Sequence, residues 1–172
     1  DTARAFDSIS HQFIHTLLPF IGMPEWVCNM VRGLLHKVSV VAAMVGQGAT
    51  PIPIRRGVKQ GCPFSPLLFI LCFDVLLWRL ARIGALDSYA YADDLALTTH
   101  CSRRLLKALA IIKAFSAVSG LGLNVKKTVI VTTLPMPTAV RRDLDNADWA
   151  AIHTAPSCVY LGVAVGAKVT PL

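Results

Sequence analysis

Apolar residues recur every three or four positions in several parts of the chain, which is the spacing of one face of an α-helix. This pattern predicts helices over residues 12–21 and 25–35. A long apolar run follows Ser65 and Pro66, which are suited to the N-cap and the first position of a helix. Because the run is apolar on nearly every side, we expect this helix at the centre of the fold.

Two further helices are predicted in the second half of the chain. Ser102 is a candidate N-cap for an amphipathic stretch that should end at SGLGLN, where glycines stop the helix. The apolar face of this stretch consists of Leu105, Leu109, Ile112 and Phe115. A short polar helix is predicted over residues 139–147.

Strands are predicted where β-branched and aromatic residues cluster between turn-forming residues. Residues 38–45 and 52–58 flank the segment GQGATP, which indicates a hairpin. The runs YAYADD and LALTT indicate a second hairpin. Two single strands are predicted over residues 128–134 and 158–165.

The length of the chain fits one domain, since 172 residues bury a core without disulfides or structural metals. Hydrophobic residues make up 54% of the sequence, so a membrane span has to be considered. The longest apolar run, over residues 63–78, is interrupted by Asp74, and no run reaches the roughly 18 uncharged residues of a spanning helix. We therefore expect no membrane partner.

The net charge of the chain is +7, with 17 basic residues against 10 acidic ones. Such a balance favours polyanionic partners, although it also simply aids solubility. The basic residues are clustered, which favours the first explanation. The clusters are Arg55, Arg56 and Lys59; Lys126 and Lys127; and Arg141 and Arg142.

The cysteines argue against two classes of protein. Their number, five, is odd, and none of them forms a C-x-x-C spacing, which disfavours a zinc site and a secreted disulfide framework. No signal peptide opens the sequence. We therefore expect reduced thiols and an intracellular protein of the nucleus or cytoplasm.

Asp93 and Asp94 are adjacent carboxylates in the otherwise apolar, β-prone stretch YADDLALTT. Two like charges repel, and burying an unpaired carboxylate is costly, so such a pair requires solvent or cations nearby. A solvated loop is the commonest explanation. Apolar neighbours on both sides place this pair at the tip of the predicted hairpin, which favours a cation site.

Two other segments contain residue types that are suited to nucleotide chemistry. DTARAFD contains Asp1, Phe6 and Asp7, although by itself it is best explained as an acidic helix start. GVKQGCPFSPLLF combines glycines, Gln60 and the start of a helix. Glycines let a backbone approach a ligand, and a helix N-terminus favours anions. A tight turn before a buried helix explains the glycines but not the whole segment.

These motifs together resemble those of reverse transcriptases, most closely those of non-LTR retrotransposons. DTARAFDSISH, GVKQGCPFSPLLF, YADD, GLGLNVKKT and YLGV are similar to five motifs of that family, in the family's order. The resemblance implies an α+β fold, in which the antiparallel sheet of a right-hand polymerase palm is packed by helices, with part of the fingers. It implies one partial domain over residues 1–172, with palm segments 1–7, 57–100 and 120–165 and partial fingers at about 8–56.

The resemblance also implies an RNA-directed DNA polymerase that uses two Mg²⁺ ions, with Mn²⁺ as an alternative. Asp1 and Asp93 would bridge the ions, Asp94 would complete the acidic cluster, and the carbonyl of Thr2 would be a further ligand. Phe6 would exclude a ribose 2′-hydroxyl, although composition alone favours a core aromatic beside Ala5. The residues implied in substrate binding are Thr2, Phe6, Gln60, Gly61 and Tyr91.

Further residues are implied in contacts with pyrophosphate and nucleic acid. Lys127, in the family's N-x-x-K-T pattern, would stabilise the departing pyrophosphate, or is a solvated lysine at a strand end. The segment resembling the primer grip, which a core strand would also explain, is Tyr160, Leu161 and Gly162. The basic residues expected to contact nucleic acid are Arg55, Arg56 and Lys59. The implied partners are an RNA template, a DNA primer and deoxynucleoside triphosphates.

Two other functions also fit the sequence. A truncated, inactive remnant would bind nucleic acid through its basic surface, and a structural or membrane-associated helical domain would explain the high hydropathy. Because Asp1 begins in the middle of a motif, we expect the chain to be a fragment with weak activity or none by itself.

Overall fold

The computed structural model describes residues 5–36, 38–42, 50–59, 61–132, 135–146 and 149–167. The helices are α1 (Ala5–Ser8), α2 (His11–Phe20), α3 (Glu25–Leu35), α4 (Phe64–Ala81), α5 (Ser102–Ser119) and α6 (Thr138–Asn146). The strands are β1 (Ser39–Ala42), β2 (Thr50–Pro53), β3 (Asp87–Tyr91), β4 (Asp94–Thr98), β5 (Val129–Val131), β6 (His153–Ala155), β7 (Ser157–Tyr160) and β8 (Val163–Gly166). The chain therefore has the predicted α+β composition.

The four strand pairs are separate two-stranded sheets in the described part of the chain. Three pairs, β1–β2, β3–β4 and β7–β8, are antiparallel. The prediction of an antiparallel sheet is wrong for β5 and β6, which run parallel. The reason is topological. In the sequence α6 lies between β5 and β6, and it returns the chain to the end of β5 at which that strand began, as a crossover connection does.

The predicted helices are confirmed with shifts of at most two residues at the ends that can be compared, the largest at the start of α4. The first hairpin is shorter than predicted, because β2 ends at Pro53 and the chain then turns towards α2. There Arg56 forms a β-bridge with Ser10, and the carbonyl of Arg55 accepts a hydrogen bond of 3.2 Å from the backbone N–H of His11. Residues 43–49 of the predicted hairpin, and residues 133, 134 and 147 of later elements, lie outside the described residues.

Both predicted serine caps are wrong. The N-cap of α4 is Pro63, and the buried hydroxyl of Ser65 donates instead to the carbonyl of Lys59 at 2.6 Å. The N-cap of α5 is Cys101, whose backbone N–H donates to the hydroxyl of Thr99 at 3.2 Å. The N-cap lies two residues before Ser65 and one residue before Ser102, so each serine falls inside its helix.

The predicted strand over residues 158–165 is also wrong, because it is broken into the hairpin β7–β8. The turn consists of Leu161 and Gly162, with φ of +50° and +81°. Positive φ at both positions suits a tight hairpin whose twist matches that of its strands. The alternating pattern on both sides of the turn resembles a single strand when the turn residues are overlooked.

The apolar core is built around α4, which contacts α2, α5 and β3. Its buried side chains are Ser65, Leu68, Phe69, Cys72, Phe73, Leu76 and Leu80. Within the described residues, α4 is the one helix long and apolar enough to cross a membrane. Of this helix 39% is buried inside the protein, and a single such helix is weak evidence for a span, because core helices pass the same test.

The segment from Phe6 to His11 is held between two glycines of distant parts of the chain. Gly57 approaches from one side and Gly120 from the other, and a Cβ atom on Gly57 would lie 2.9 Å from the carbonyl oxygen of Asp7. A Cβ atom on Gly120 would overlap the carbonyl oxygen of Ser8. Three backbone hydrogen bonds complete the contact: Val58 N to Phe6 O, Gly57 N to Ile9 O, and Ser10 N to Ser119 O, at 2.8, 2.7 and 2.7 Å.

This contact joins three of the sequence motifs in space. The glycine-rich segment before α4 and the SGLG segment after α5 both pack on the residues that follow DTAR. Glycine is required at both positions, because Gly57 and Gly120 have φ of +86° and +81° as well as these close approaches.

Candidate active site

The hairpin β3–β4 carries the adjacent aspartates at its tip. Tyr91 pairs with Asp94, so the turn consists of Ala92 and Asp93 alone. Ala92 has φ of +50°, a left-handed conformation that is costly for a residue with a Cβ atom. The predicted position of the pair at a hairpin tip is confirmed.

The hairpin is packed against the core at its base, and its tip is exposed at Tyr91 and Ala92. Strand β3 contacts α4, and Leu95 and Leu97 pack against the core, so the base of the hairpin is held in place. Asp93 and Asp94 are half-buried, and each has an interaction partner within the chain. Tyr91, at the end of β3, is 67% exposed. Two adjacent carboxylates on an anchored turn form a compact cluster of hard oxygen donors.

The hairpin β7–β8 lies within electrostatic reach of this tip. Burial and, second, the Asp94 carboxylate raise the pKa of Tyr160, the last residue of β7. A nearby negative charge has this effect because it disfavours the phenolate. Leu161 and Gly162 follow directly and form the turn, in which both are exposed. Tyr160 of YLGV therefore lies near enough to Asp94 of YADD for the carboxylate to act on its hydroxyl.

Phe6 lies at the edge of the core beside α4. Its ring stacks on that of Phe69 with centroids 4.9 Å apart and planes at 28°, and Phe69 stacks in turn on Phe73. The half-buried ring of Phe6 thus has one face on the core. This contact agrees with the interpretation of Phe6 as a core aromatic, and the contact with a nucleotide sugar stays a prediction.

The glycine-rich segment leads into α4 as an exposed turn. Gly61 has φ of +83°, and a Cβ atom there would meet open space. Lys59, Arg55 and Arg56 are exposed, as contacts with nucleic acid require. The structure does not bring the two arginines to the β3–β4 tip; instead they line a cavity with residues of α2 and α3.

Lys127 lies in a tight turn that the motif NVKKT forms. The backbone N–H groups of Lys127 and Thr128 both donate to the carbonyl of Asn124 at 3.0 Å, and the Thr128 hydroxyl donates to the same oxygen at 2.9 Å. Asn124 and Thr128 therefore shape the turn, and the lysine is exposed on it. The role of Lys127 towards pyrophosphate stays a prediction.

Asp1, Thr2 and Gln60 lie outside the described residues. The predicted metal ligands inside them are therefore Asp93 and Asp94. In the described ranges no group of three or more histidine, cysteine, aspartate or glutamate residues is arranged to hold a metal ion. The complete ligand set stays a prediction.

Sequence reasoning missed several residues that position this site. His11 donates a hydrogen bond of 2.7 Å from its ring Nε2 to the carbonyl of Gly57, because a carbonyl oxygen only accepts. The hydroxyl of Ser119 accepts from the backbone N–H of Leu121 at 3.1 Å, which orders the segment around Gly120. The available signals were a histidine at the end of the first motif and a serine directly before a helix-ending glycine.

Comparison with known proteins agrees with this geometry. The family described as reverse transcriptase (RNA-dependent DNA polymerase) matches residues 1–165. The chain is 36% identical to the retrovirus-related Pol polyprotein from type-1 retrotransposable element R2 of Popillia japonica, over 77% of the chain and 20% of that protein. It is 34% identical to the Pol polyprotein from type-2 retrotransposable element R2DM of Drosophila melanogaster, over 76% of the chain and 13% of that protein.

The similarity extends to the type-1 R2 Pol polyprotein of Nasonia vitripennis, at 30% identity over 78% of the chain and 14% of that protein. The chain thus spans a fifth or less of the length of these three relatives. The predicted resemblance to non-LTR retrotransposon enzymes is confirmed, because the relatives are proteins of R2 elements. The match over nearly the whole chain shows that it belongs to the reverse transcriptase family.

Proposed function

We propose that this chain forms the core of an RNA-directed DNA polymerase of a non-LTR retrotransposon. The observation that carries the proposal is the β3–β4 tip, where Asp93 and Asp94 occupy a two-residue turn and the following strand position beside Tyr160. The proposed partners are an RNA template, a DNA primer and deoxynucleoside triphosphates. The net charge of +7 supports polyanionic partners.

The donor set at the tip fits divalent cations, which reverse transcriptases generally use. Carboxylate oxygens are the ligands that Mg²⁺ prefers, so we propose two Mg²⁺ ions, with Mn²⁺ as an alternative. Asp93, Asp94, Asp1 and the Thr2 carbonyl would hold them. When bound, such ions activate the primer hydroxyl and neutralise charge on the departing pyrophosphate.

The chain's own residues would position the reactants. The ring of Phe6, backed by Phe69, would lie against the deoxyribose and leave no room for a 2′-hydroxyl. Gln60, Gly61 and Tyr91 would line the nascent base pair, and Lys127 would hold or protonate pyrophosphate. The primer strand would lie on the β7–β8 turn, whose residues Leu161 and Gly162 are exposed and follow Tyr160 directly.

A palm with part of the fingers is the arrangement that we propose for the domain. Segments 1–7, 57–100 and 120–165 would form the palm, and about 8–56 would form the partial fingers. The close approach of Gly57 to Asp7 and the hydrogen bond from Val58 N to Phe6 O support this division, because they join palm segments 1–7 and 57–100. An intracellular location is also proposed, since all five cysteines are free thiols.

Primer extension on an RNA template tests the proposal, with the chain expressed within its natural reading frame. Asp93→Asn and Asp94→Asn should each lower the rate by about 10³-fold or more, because several kcal/mol of transition-state stabilisation depends on the metals. Asp87→Asn is the matched control, since Asp87 lies at the opposite end of the same hairpin. It should leave the rate within about twofold.

The same assay separates this function from that of an inactive remnant. A remnant would bind the primer–template but extend nothing under any divalent ion. Extension that is equally fast in Asp93→Asn and in Asp87→Asn would contradict the assignment of the tip as the active site.

A further inference from the structure

A cavity of about 750 Å³ opens between α2, α3, β2 and the segment that follows β2. Its volume falls in the range of about 300 to 1,000 Å³ typical of ligand sites. None of its described lining residues belongs to β3, β4, β7 or β8, so it is separate from the candidate active site.

The lining of the cavity is positively charged. It contains three arginines and three histidines and no aspartate or glutamate among its described residues: His11, His15, Arg32, His36, Arg55 and Arg56. No carboxylate in the described part of the chain pairs with any of these arginines. Arg32 donates a hydrogen bond to the side chain of Asn29, which is neutral and leaves its charge uncompensated. A concave surface of one sign concentrates ions of the opposite sign.

The walls of the cavity are tied together before any ligand binds. The ring of His11 donates to the carbonyl of Gly57 at 2.7 Å, and the Arg56–Ser10 bridge joins the segment after β2 to the start of α2. Helix α3, which carries Arg32, packs on α2, so the backbone positions of the arginines are fixed at one opening. Fixed positions lower the entropy cost of bringing these donors to one anion.

The chemistry of the lining selects a phosphate backbone rather than a base. No phenylalanine, tyrosine or tryptophan is among the described lining residues, so stacking platforms for bases are missing there. Arginine forks match phosphate oxygens in a bidentate geometry. Contacts of this kind position a strand and do not read its sequence.

We propose that this cavity binds backbone phosphates of a nucleic-acid strand through Arg32, Arg55 and Arg56. The inference deepens the proposed function, on which it rests, by adding a site for the strand that does not touch the β3–β4 tip. Arg32 on α3 is the residue that sequence reasoning did not assign.

The electrostatics of His15 provide an independent reporter. Burial first, then the positive charges of His11 and Arg32, hold the pKa of His15 below its ordinary value. An anion in the cavity offsets that repulsion, so the pKa of His15 should rise on binding. The charged and titratable groups of the cavity are those of α2 (His11, His15), α3 (Arg32), its C-cap (His36) and the segment after β2 (Arg55, Arg56).

The test measures binding of mixed-sequence single-stranded RNA and single-stranded DNA by fluorescence anisotropy over a salt series. Arg32→Gln should weaken binding about tenfold and reduce the slope of log Kd against log salt by about 0.7. Arg103→Gln removes the same charge on α5, outside the cavity, and should change the affinity less than twofold. Arg32 and Arg103 are both exposed, so neither change should unfold the chain.

The two strands distinguish the source of the phosphate. A loss of affinity in Arg32→Gln for RNA alone would assign the cavity to the template, and a loss for DNA alone would assign it to the primer or target strand. Equal affinities of Arg32→Gln and Arg103→Gln for both strands would overturn the proposal.

NMR titration of the histidine rings gives the second readout. The pKa of His15 should rise when either inorganic phosphate or the oligonucleotide is added, and an unchanged pKa with saturating oligonucleotide would also overturn the proposal. If the cavity does not bind phosphate, primer extension that depends on Asp93 should still be observed. If the chain is not a polymerase core, no extension should be observed, but binding of the strand in the cavity should be unchanged. The two results are therefore distinguishable.

Discussion

Replacing Gly120 with alanine tests the close packing that holds the first motif in place. Gly120 has φ of +81°, and a Cβ atom there would overlap the carbonyl oxygen of Ser8. Gly22 is a matched control, because it also follows a helix and has φ of +78°, but a Cβ atom there would meet nothing within 4 Å. The two substitutions therefore share the backbone cost and differ in the steric one.

The magnitudes follow from these two contributions. Alanine in the left-handed region costs about 1–2 kcal/mol, and the lower entropy of the unfolded chain returns about 0.4–1 kcal/mol. Gly22→Ala should therefore destabilise by about 1 kcal/mol. Gly120→Ala should destabilise the chain by about 1–3 kcal/mol more than Gly22→Ala does, because the Ser8 backbone must move and the Ser10–Ser119 hydrogen bond is strained. Gly57→Ala, with its 2.9 Å approach to Asp7, should fall between them.

Urea denaturation followed by circular dichroism measures the ranking. With a slope of about 2 kcal/mol per molar, the midpoint should fall by about 0.5 M in Gly22→Ala and by about 1–2 M in Gly120→Ala. Failure of Gly120→Ala to fold while Gly22→Ala folds would give the same order. Equal midpoints for the two variants would refute the argument that Ser8 limits the space at Gly120.

Three further predictions concern single side chains. Burial raises the pKa of Cys72 to about 12, whereas hydrogen bonds from backbone N–H groups in the first turn of α5 lower that of Cys101. The thiolate fraction at mildly alkaline pH is thus larger for Cys101, and mass spectrometry should find iodoacetamide on Cys101 first; equal labelling would contradict this. Phe69→Ala should cost about 3–5 kcal/mol, because Phe69 is 2% exposed, against less than about 0.5 kcal/mol for Phe20→Ala, where the ring is 86% exposed. Ser65→Ala should lower the free energy of unfolding by about 1 kcal/mol in the same urea denaturation, because the hydrogen bond to the Lys59 carbonyl is lost. An unchanged midpoint would show that this bond contributes nothing.

Local periodicity predicted most of the secondary structure, because its signals act within a few residues. The helix Glu25–Leu35 was predicted with its observed bounds, and the β3–β4 hairpin followed from alternation around the acidic pair. The failures depend on partners that are distant in sequence. Strand β6 has no β-branched run and exists because α6 returns the chain beside β5. Ser65 does not cap α4 as predicted, because its hydroxyl donates a hydrogen bond to the carbonyl of Lys59.

The candidate site was predicted to a different extent at each residue. Asp93 and Asp94 were recognisable because adjacent charges are rare among apolar neighbours, and their place at a tip is confirmed. The stacking of Phe6 on Phe69 was not predicted, because a helix that is apolar on nearly every side does not reveal which residue faces which neighbour. The basic cavity was missed for a similar reason, since Arg32 and Arg55 meet only through tertiary packing.

The left-handed turn residues have a consequence for protein engineering. Among the described residues, the non-glycine positions with positive φ are Ala85, Ala92 and Leu161, and the last two turn the hairpins beside the aspartates. Glycine at any of them should relieve about 1 kcal/mol of strain. At Ala92 and Leu161 the substitution would also make the neighbouring side chains less well positioned. A heat-resistant variant is therefore better sought at Ala85, which precedes β3 at the opposite end of the hairpin from the acidic tip.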